Sequence, residues 1–426
     1  WLRNMPKELW DRGQEYSVQY YDLFYTFKEV SNYSKLDSLG RFEIKVPLIN
    51  STEVFMDWKH TYINTVLEPG ETYYLLYDFK SGHSIFMGKK CRLQNELLAH
   101  PIPMIDAEYA GKYENKVPAQ EMMQILESRY KEAEGNLRKQ IEKSASISRC
   151  YQEYAAQYLL CTYASDILQG AYHVKDYVFP QEYVSQVEKI WKEIPQPYTQ
   201  FRDYNALTKD LIFQEVRLKY STPMGKTYGF LFTNYYPELL RKHKAQGDIA
   251  ITDSEIATVE QWAKNLDSMT IKQYQTTDAR EQEKIENAFS NSALAKRATA
   301  IIGREDIAKM LKDETPLLDV YYAQHIADNM GCSQQQKDVI ISKAFLEMLE
   351  RLAMPLNSYG LDMAEHSISS EVIREKVLAE HRKYLSLQNR DITASIKTAP
   401  QDMSDGEKLL RHILEPYKGK LVLLDV

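Results

Sequence analysis

Four cysteines, Cys91, Cys150, Cys161 and Cys332, carry the widest chemical range in this 426-residue chain. None stands in a C-x-x-C pair, the spacing at which one thiolate attacks a disulfide and the next resolves the mixed intermediate. Cys150 and Cys161 fall in one helical stretch. At a rise of 1.5 Å per residue they lie roughly 16 Å apart, whereas a disulfide needs Cα atoms within about 7 Å. The four read as reduced, mostly buried thiols, with a structural bridge through Cys91 or Cys332 as the other reading. The histidines (His60, His83, His100, His173, His243, His325, His366, His381 and His412) are scattered. None has H-x-x-x-H or H-x-x-E-H spacing. Glu365 beside His366, and Glu380 beside His381, are neighbours that face different ways on a helix. Surface or capping positions are expected for the histidines. Gly225-Lys226-Thr227 ends like a phosphate-binding loop, but the motif needs glycine five residues before Gly225, where Tyr220 stands. No G-x-S-x-G elbow occurs. Asn32-Tyr33-Ser34 and Asn50-Ser51-Thr52 match the N-glycosylation pattern, which is common by chance. The residues therefore assign no catalytic, cofactor-binding or metal-binding position.

Composition narrows the class. Apolar residues make up 44% and charged residues 27%, values of a chain that folds around a core. The length suits two or three domains. The net charge of −7 argues against nucleic acid, whose phosphates need a basic face. No run approaches the roughly 18 apolar residues of a membrane helix. The chain begins with Trp1 rather than Met, so a missing signal peptide says nothing about compartment. Tyrosine is abundant, with 31 residues against 13 phenylalanines and 5 tryptophans. An apolar body with a polar tip suits partly wet helix-packing faces, and also grooves for peptides or sugars.

Period-2 patterning fills the first hundred residues. Phe42, Ile44 and Val46 alternate within Arg41 to Val46. Thr52 to Trp58, Tyr62 to Leu67, Tyr73 to Phe79 and His83 to Met87 read as further strands, separated by turns at Glu68-Pro69-Gly70-Glu71 and Ser81-Gly82. Short strands at this spacing predict an antiparallel β-sandwich over 1–110. From Val117 the period becomes helical. Pro118 suits a helix start, and Met122, Ile125, Leu126, Arg129 and Tyr130 recur at three and four. Further helices are predicted at Ile147 to Leu168, Tyr183 to Ile194 and Ile256 to Leu266. Ser221 to Phe232 reads as irregular. Thr315-Pro316 reads as an N-cap followed by proline, before a face of Leu318, Tyr322, His325 and Ile326. Ser333 and Gln336 fit a capping box for a helix carrying Ile341, Phe345, Met348, Leu349 and Leu352. Ile373, Val377, Tyr384 and Leu387 mark the next. The charged run from Arg280 to Lys284 is a solvated face. The whole predicts an α+β multidomain chain with a large all-α domain over 111–403. Ser404 and Glu407 form another capping box, and Leu421 to Val426 is an apolar strand of the kind covered on both faces. Over 404–426 this is the first helix and strand of an α/β domain.

Three stretches together carry a resemblance. They are His60 to Tyr73 (HTYINTVLEPGETY), Phe86 to Leu97 (FMGKKCRLQNEL), and Asp405 to Leu410 (DGEKLL) running to Lys418 to Val426 (KGKLVLLDV). They resemble the large TlpA-type, thioredoxin-like thiol:disulfide oxidoreductases of the Gram-negative cell envelope. Such proteins have an N-terminal β domain, a helical insert and a C-terminal thioredoxin domain. The resemblance covers the start and end of the chain, and the helical middle only by order and length. It implies that residues 404–426 open a thioredoxin fold truncated before its C-x-x-C. It implies an exported protein of the periplasm or outer membrane, tethered through a removed lipoprotein signal. Its partners would be proteins bearing thiols or disulfides. A cysteine at a helix N-terminus becomes the attacking thiolate because the dipole lowers its pKa; no such pair lies in these residues, so no catalytic role falls on Cys91. The leading expectation is the scaffold and substrate-presenting portion of such an enzyme. The alternatives are a non-enzymatic envelope module that binds peptide or glycan, and a structural protein whose last strand pairs in another chain.

Overall fold

The computed structural model describes residues 1–10, 15–25, 28–58, 61–103, 117–170, 185–186, 189–190, 201–208, 227–276, 278–329, 331–389, 410–411 and 414–419. It is an α+β architecture, with a small β region followed by a large helical part.

The β region holds two sheets. Strands β2 (Glu15–Tyr21), β3 (Glu29–Lys35), β4 (Thr52–Asp57) and β5 (Tyr62–Leu67) form one, in the order β3-β2-β4-β5 and antiparallel throughout. Strands β1 (Leu2–Arg3), β6 (Tyr74–Asp78) and β7 (His83–Met87) form the other, in the order β1-β6-β7. Alternation places Tyr16, Val18 and Tyr20 of β2 and Val54 and Met56 of β4 on one face, where they share a core with Leu2, Tyr77 and Phe86 of the second sheet. Trp58 completes this core, and its Nε1 donates to the Ser17 carbonyl at 2.9 Å. Two expectations are corrected. The region is not purely antiparallel, because β1 pairs parallel with β6. Residues 41–46 are not a strand. Phe42, Ile44 and Val46 do pack on the core, but no described strand pairs with their backbone. Asp37 holds the entry to this segment, accepting from the backbone N–H groups of Leu39 and Arg41 and from the Arg41 side chain.

Helix α1 (Lys7–Trp10) and helix α2 (Arg92–Ala99) belong to this region in sequence. The helical part follows with α3 (Ala119–Lys143), α4 (Arg149–Gly170), α5 (Thr227–Gln246), α6 (Asp253–Gln275), α7 (Ala279–Ser290), α8 (Ala293–Ile302), α9 (Glu305–Glu314), α10 (Leu318–Asn329), α11 (Gln334–Leu352), α12 (Ser358–Ser367) and α13 (Glu371–Gln388). Ser333 and Gln336 form the expected capping box of α11, and Ile341, Phe345, Met348 and Leu349 are buried. The Arg280–Lys284 run lies on α7, which has no buried residue. Thr315 is not an N-cap. It has helical backbone angles, and its hydroxyl donates back to the Leu311 carbonyl at 2.7 Å, closing the end of α9. Helix α5 begins at Thr227, inside the stretch expected to be irregular. His325 and Leu387 are exposed, although their neighbours Tyr322, Ile326 and Tyr384 are buried. The predicted helix over 183–194 falls mostly outside the described residues, as do the boundaries at 110/111 and 403/404, the Ser404 capping box and the Leu421–Val426 strand. Among the described residues, no helix is long and apolar enough to cross a membrane.

The β4–β5 ladder lies between two cores. Its Ile63 face joins the sandwich core, and its Val66 face joins the helical one. The helical turn at 202–208 locks the two regions together. Asn205 Nδ2 donates to the carbonyls of Asp22 (2.7 Å) and Tyr25 (2.9 Å). The fully buried Lys343 of α11 donates to the Asn205 carbonyl at 2.8 Å and to its side-chain oxygen. Salt bridges from Lys376 to Asp22 and from Lys28 to Glu350 span the same junction at the surface.

Candidate functional site

A cleft opens beside this junction. Strand β5 contributes Tyr62, Ile63 and Asn64, the C-terminal end of α2 contributes Leu97 and Leu98, and α4 contributes Tyr154 and Tyr158. Its volume is about 280 Å³.

Two of the stretches quoted above build its wall as one unit. The turn over Glu68–Glu71 places Gly70 at φ 74°, in the left-handed region that glycine enters without strain. Gly88 lies so close to the preceding segment that a Cβ there would sit 2.9 Å from the Thr72 carbonyl oxygen. Asn95 of α2 grips Phe86 of β7 twice, accepting from its N–H and donating to its C=O, both at 2.8 Å. Gln94, almost wholly buried, donates to the Val66 carbonyl of β5 at 2.8 Å. Lys90 pairs with Glu71 at 2.9 Å. Helix α2 is fastened to the start of α4 by Glu96, which accepts from the Ser148 N–H (2.8 Å) and hydroxyl (2.5 Å). Tyr151 adds a bond from its hydroxyl to the His100 carbonyl.

Behind the tyrosines lie carboxyl groups. Glu53 of β4 is buried and accepts only two described hydrogen bonds, from Asn64 Nδ2 at 2.8 Å and from the Arg202 N–H at 3.0 Å. Burial outweighs both and holds its pKa above the usual carboxylate range. Asp203 accepts from the Thr162 hydroxyl at 2.7 Å. Burial, reinforced by the Asp203 charge, raises Asp166 to about 7. Tyr154 and Tyr158 both meet Phe201 edge to face, with centroids 5.1 and 5.4 Å apart. Tyr62 stands at the mouth, 64% exposed.

The tyrosine richness divides accordingly. Tyr151, Tyr154 and Tyr163 on α4 are buried packing residues, whereas Tyr158 stays half-buried at the cleft. Neither Glu53 nor Arg202, 149 residues apart, carried a signal in the sequence.

The thiols lie apart from one another chemically. None of the four joins a disulfide. Cys150 and Cys161 do share α4. Cys161 and Cys332 are buried, Cys91 is half-buried, and Cys150 is exposed. Burial, aided by the Asp203 and Glu53 charges, pushes the Cys161 thiol far above its ordinary pKa, which disables it as a nucleophile. Cys91 donates to the Gly88 carbonyl at 3.2 Å.

Two histidines depart from the surface placement expected for them. His243 is completely buried, with Nδ1 2.8 Å from Asp248 Oδ2 and Nε2 2.7 Å from Glu314 Oε1. Burial lowers its pKa, but the bonds to Glu314 and Asp248 and the Glu314 charge outweigh that, so the net shift is upward. Burial likewise raises Glu314, yet the His243 and Tyr321 bonds and the Lys242 charge bring it below its ordinary value. Tyr359 closes the cluster from α12, donating to Asp248 at 3.1 Å. The buried His243–Glu314 pair has its polar atoms taken up by neighbouring side chains, with Asp248 at the exposed rim, which marks a clamp rather than a reaction centre. His381 is also buried, and its Nδ1 accepts from the Leu356 N–H at 3.0 Å. Among the described residues, no group of three or more His, Cys, Asp or Glu side chains is arranged to hold a metal ion.

Compared with known proteins, the chain matches no family model, and no curated protein or solved structure gives a significant match.

Proposed function

We propose that this chain is the scaffold and substrate-presenting portion of a thioredoxin-like thiol:disulfide oxidoreductase of the cell envelope, with the aromatic cleft as its contact site for a protein substrate. The observation that carries the reading is structural convergence. The His60–Tyr73 and Phe86–Leu97 stretches run through different sheets, yet Gln94 and Lys90 of the second bind Val66 and Glu71 of the first, making one unit that forms a wall of the cleft. The resemblance therefore falls on residues that shape a surface. Within this reading the third stretch is the opening of a thioredoxin domain, and the redox cysteines follow Val426. The four cysteines present stay out of the chemistry, consistent with the burial of Cys161 and Cys332. The protein is exported and held at the envelope by a lipoprotein segment.

The test is the intact mass of the protein as its own cell produces it, together with the reading frame after Val426. The expected result is a mass above 49.7 kDa by about 12–17 kDa, one small domain, with Trp-Cys-x-x-Cys in the added residues. A reading frame that stops at Val426 overturns the oxidoreductase reading. The cleft would then serve a peptide- or glycan-binding module without redox chemistry, a reading favoured by its tyrosine walls.

A further inference from the structure

The manner in which the cleft holds its substrate follows from the hydrogen-bond register of β5. This inference rests on the reading of the cleft as a contact site. Among the described residues β5 is the last strand of its sheet, and one side of its backbone pairs with no described strand. The register identifies the groups on that side. The Trp58 N–H donates to the Thr61 carbonyl at 3.1 Å, closing the turn between β4 and β5. Hydrogen-bonded pairs then recur every second residue in an antiparallel ladder, at Met56–Ile63, Val54–Thr65 and Thr52–Leu67. Tyr62, Asn64 and Val66 consequently turn their N–H and C=O away from β4. The bond from Gln94 to the Val66 carbonyl agrees with this alternation and shows that α2 lies on that side. At Val66 the helix covers the edge. At Tyr62 and Asn64 the cleft separates them, and no described residue bonds to the outward backbone groups of these two.

We propose that an extended segment of a partner protein enters here, adds to β5 as a further strand beside Tyr62 and Asn64, and seats one large apolar side chain between Leu97 and Tyr158. Main-chain bonds would give affinity, and the pocket would give selectivity. A cavity of about 280 Å³ accepts a single such side chain. Charge defines the neighbours of that anchor. Burial acts most on Tyr62 and Tyr158, and the charged groups beside them are Asp57 and Asp203 against one guanidinium, Arg202, with the Glu53 carboxyl biased toward its neutral form by burial. The preferred segment therefore carries basic residues beside its apolar anchor. An open edge is otherwise a hazard for self-association, and partial cover by α2 restricts it to a short stretch.

The probe is the peptide acetyl-Lys-Val-Thr-Phe-Thr-Val-Lys-amide, added to the full chain and followed by amide exchange in TROSY NMR. At saturation the Tyr62 and Asn64 amides should exchange roughly tenfold more slowly or less, while the inward Ile63 and Thr65 amides stay as slow as before. Two analogues N-methylated on alternate amides provide the decisive comparison. One set should abolish binding and the complementary set should leave it intact, because only alternate amides face the edge. Equal binding by both sets overturns strand addition and leaves only side-chain docking. Protection by cellotetraose with none by the peptide overturns it in favour of a glycan. No response to the peptide also overturns it. None of these outcomes alters the oxidoreductase reading, which the reading frame after Val426 decides separately. Tyr158→Ala should weaken peptide binding about tenfold, with a melt that stays cooperative but is lowered by the lost Phe201 contact.

Discussion

Two buried glutamates, Glu53 beside the cleft and Glu314 in the helical part, have opposite fates. Glu314 ends helix α9, where the macrodipole is unfavourable to an anion, and its side chain has no solvent exposure. It nevertheless holds its charge, because His243, Tyr321 and Lys242 all converge on it. Glu53 is nearly as buried but receives one side-chain amide and one backbone N–H, and burial prevails. The difference lies in the number and charge of the donors rather than in depth. A carboxylate held by two cationic partners and a hydroxyl is a structural clamp. A carboxyl held by two neutral donors behind an open cleft keeps unspent capacity to respond to a bound group.

The largest expected effect is that of His243→Ala. It leaves Glu314 buried with only Tyr321 and Lys242 as partners and should cost about 3–5 kcal/mol in denaturant unfolding. Loss of less than about 1 kcal/mol would dissolve the contrast. Glu314→Gln removes the charge but keeps the shape, and should cost about 1.5–3 kcal/mol, the worth of hydrogen bonds to a charged group. The pH dependence sharpens the comparison. His243 is raised in the fold, so its contribution is complete below its ordinary pKa and disappears as pH rises through the raised value. Glu314 is lowered, so its contribution is present above its ordinary pKa and disappears as pH falls through the lowered value. The stability gap between the wild type and His243→Ala should therefore be widest between these limits and narrow on both sides, as midpoints measured across pH will show. The smallest effect belongs to Glu53→Gln. Raised in the fold, Glu53 weakens stability as pH climbs from its ordinary pKa to the raised one. The amide should match the wild type below that window, and equal or exceed it by about 1 kcal/mol above it.

Legibility in the sequence followed the range of the interactions. Strands β4 to β7 could be read because alternation and turn residues lie within a few positions of one another, as did the Ser333–Gln336 capping box. Strand β1 could not, since two residues pair with partners 75 positions away. The segment 41–46 shows the limit of periodicity: its alternating face is real and packed, but alternation does not supply a pairing partner. The His243 clamp draws on α5, the loop after it, α9, α10 and α12, so no spacing motif announces it. The cleft was visible only as excess tyrosine, because Glu53, Asn64, Tyr158 and Arg202 meet through the packing of a sheet edge against helices.

The most direct test of the account is a ¹³C NMR titration of the glutamate carboxyls with and without the probe peptide, with the two signals assigned through Glu53→Gln and Glu314→Gln. The account predicts that Glu53 titrates above the ordinary glutamate range and shifts when the peptide binds, whereas Glu314 titrates below that range and does not respond. A peptide-sensitive Glu314 beside an unresponsive Glu53 would contradict it, and would move the working site from the cleft to the histidine clamp.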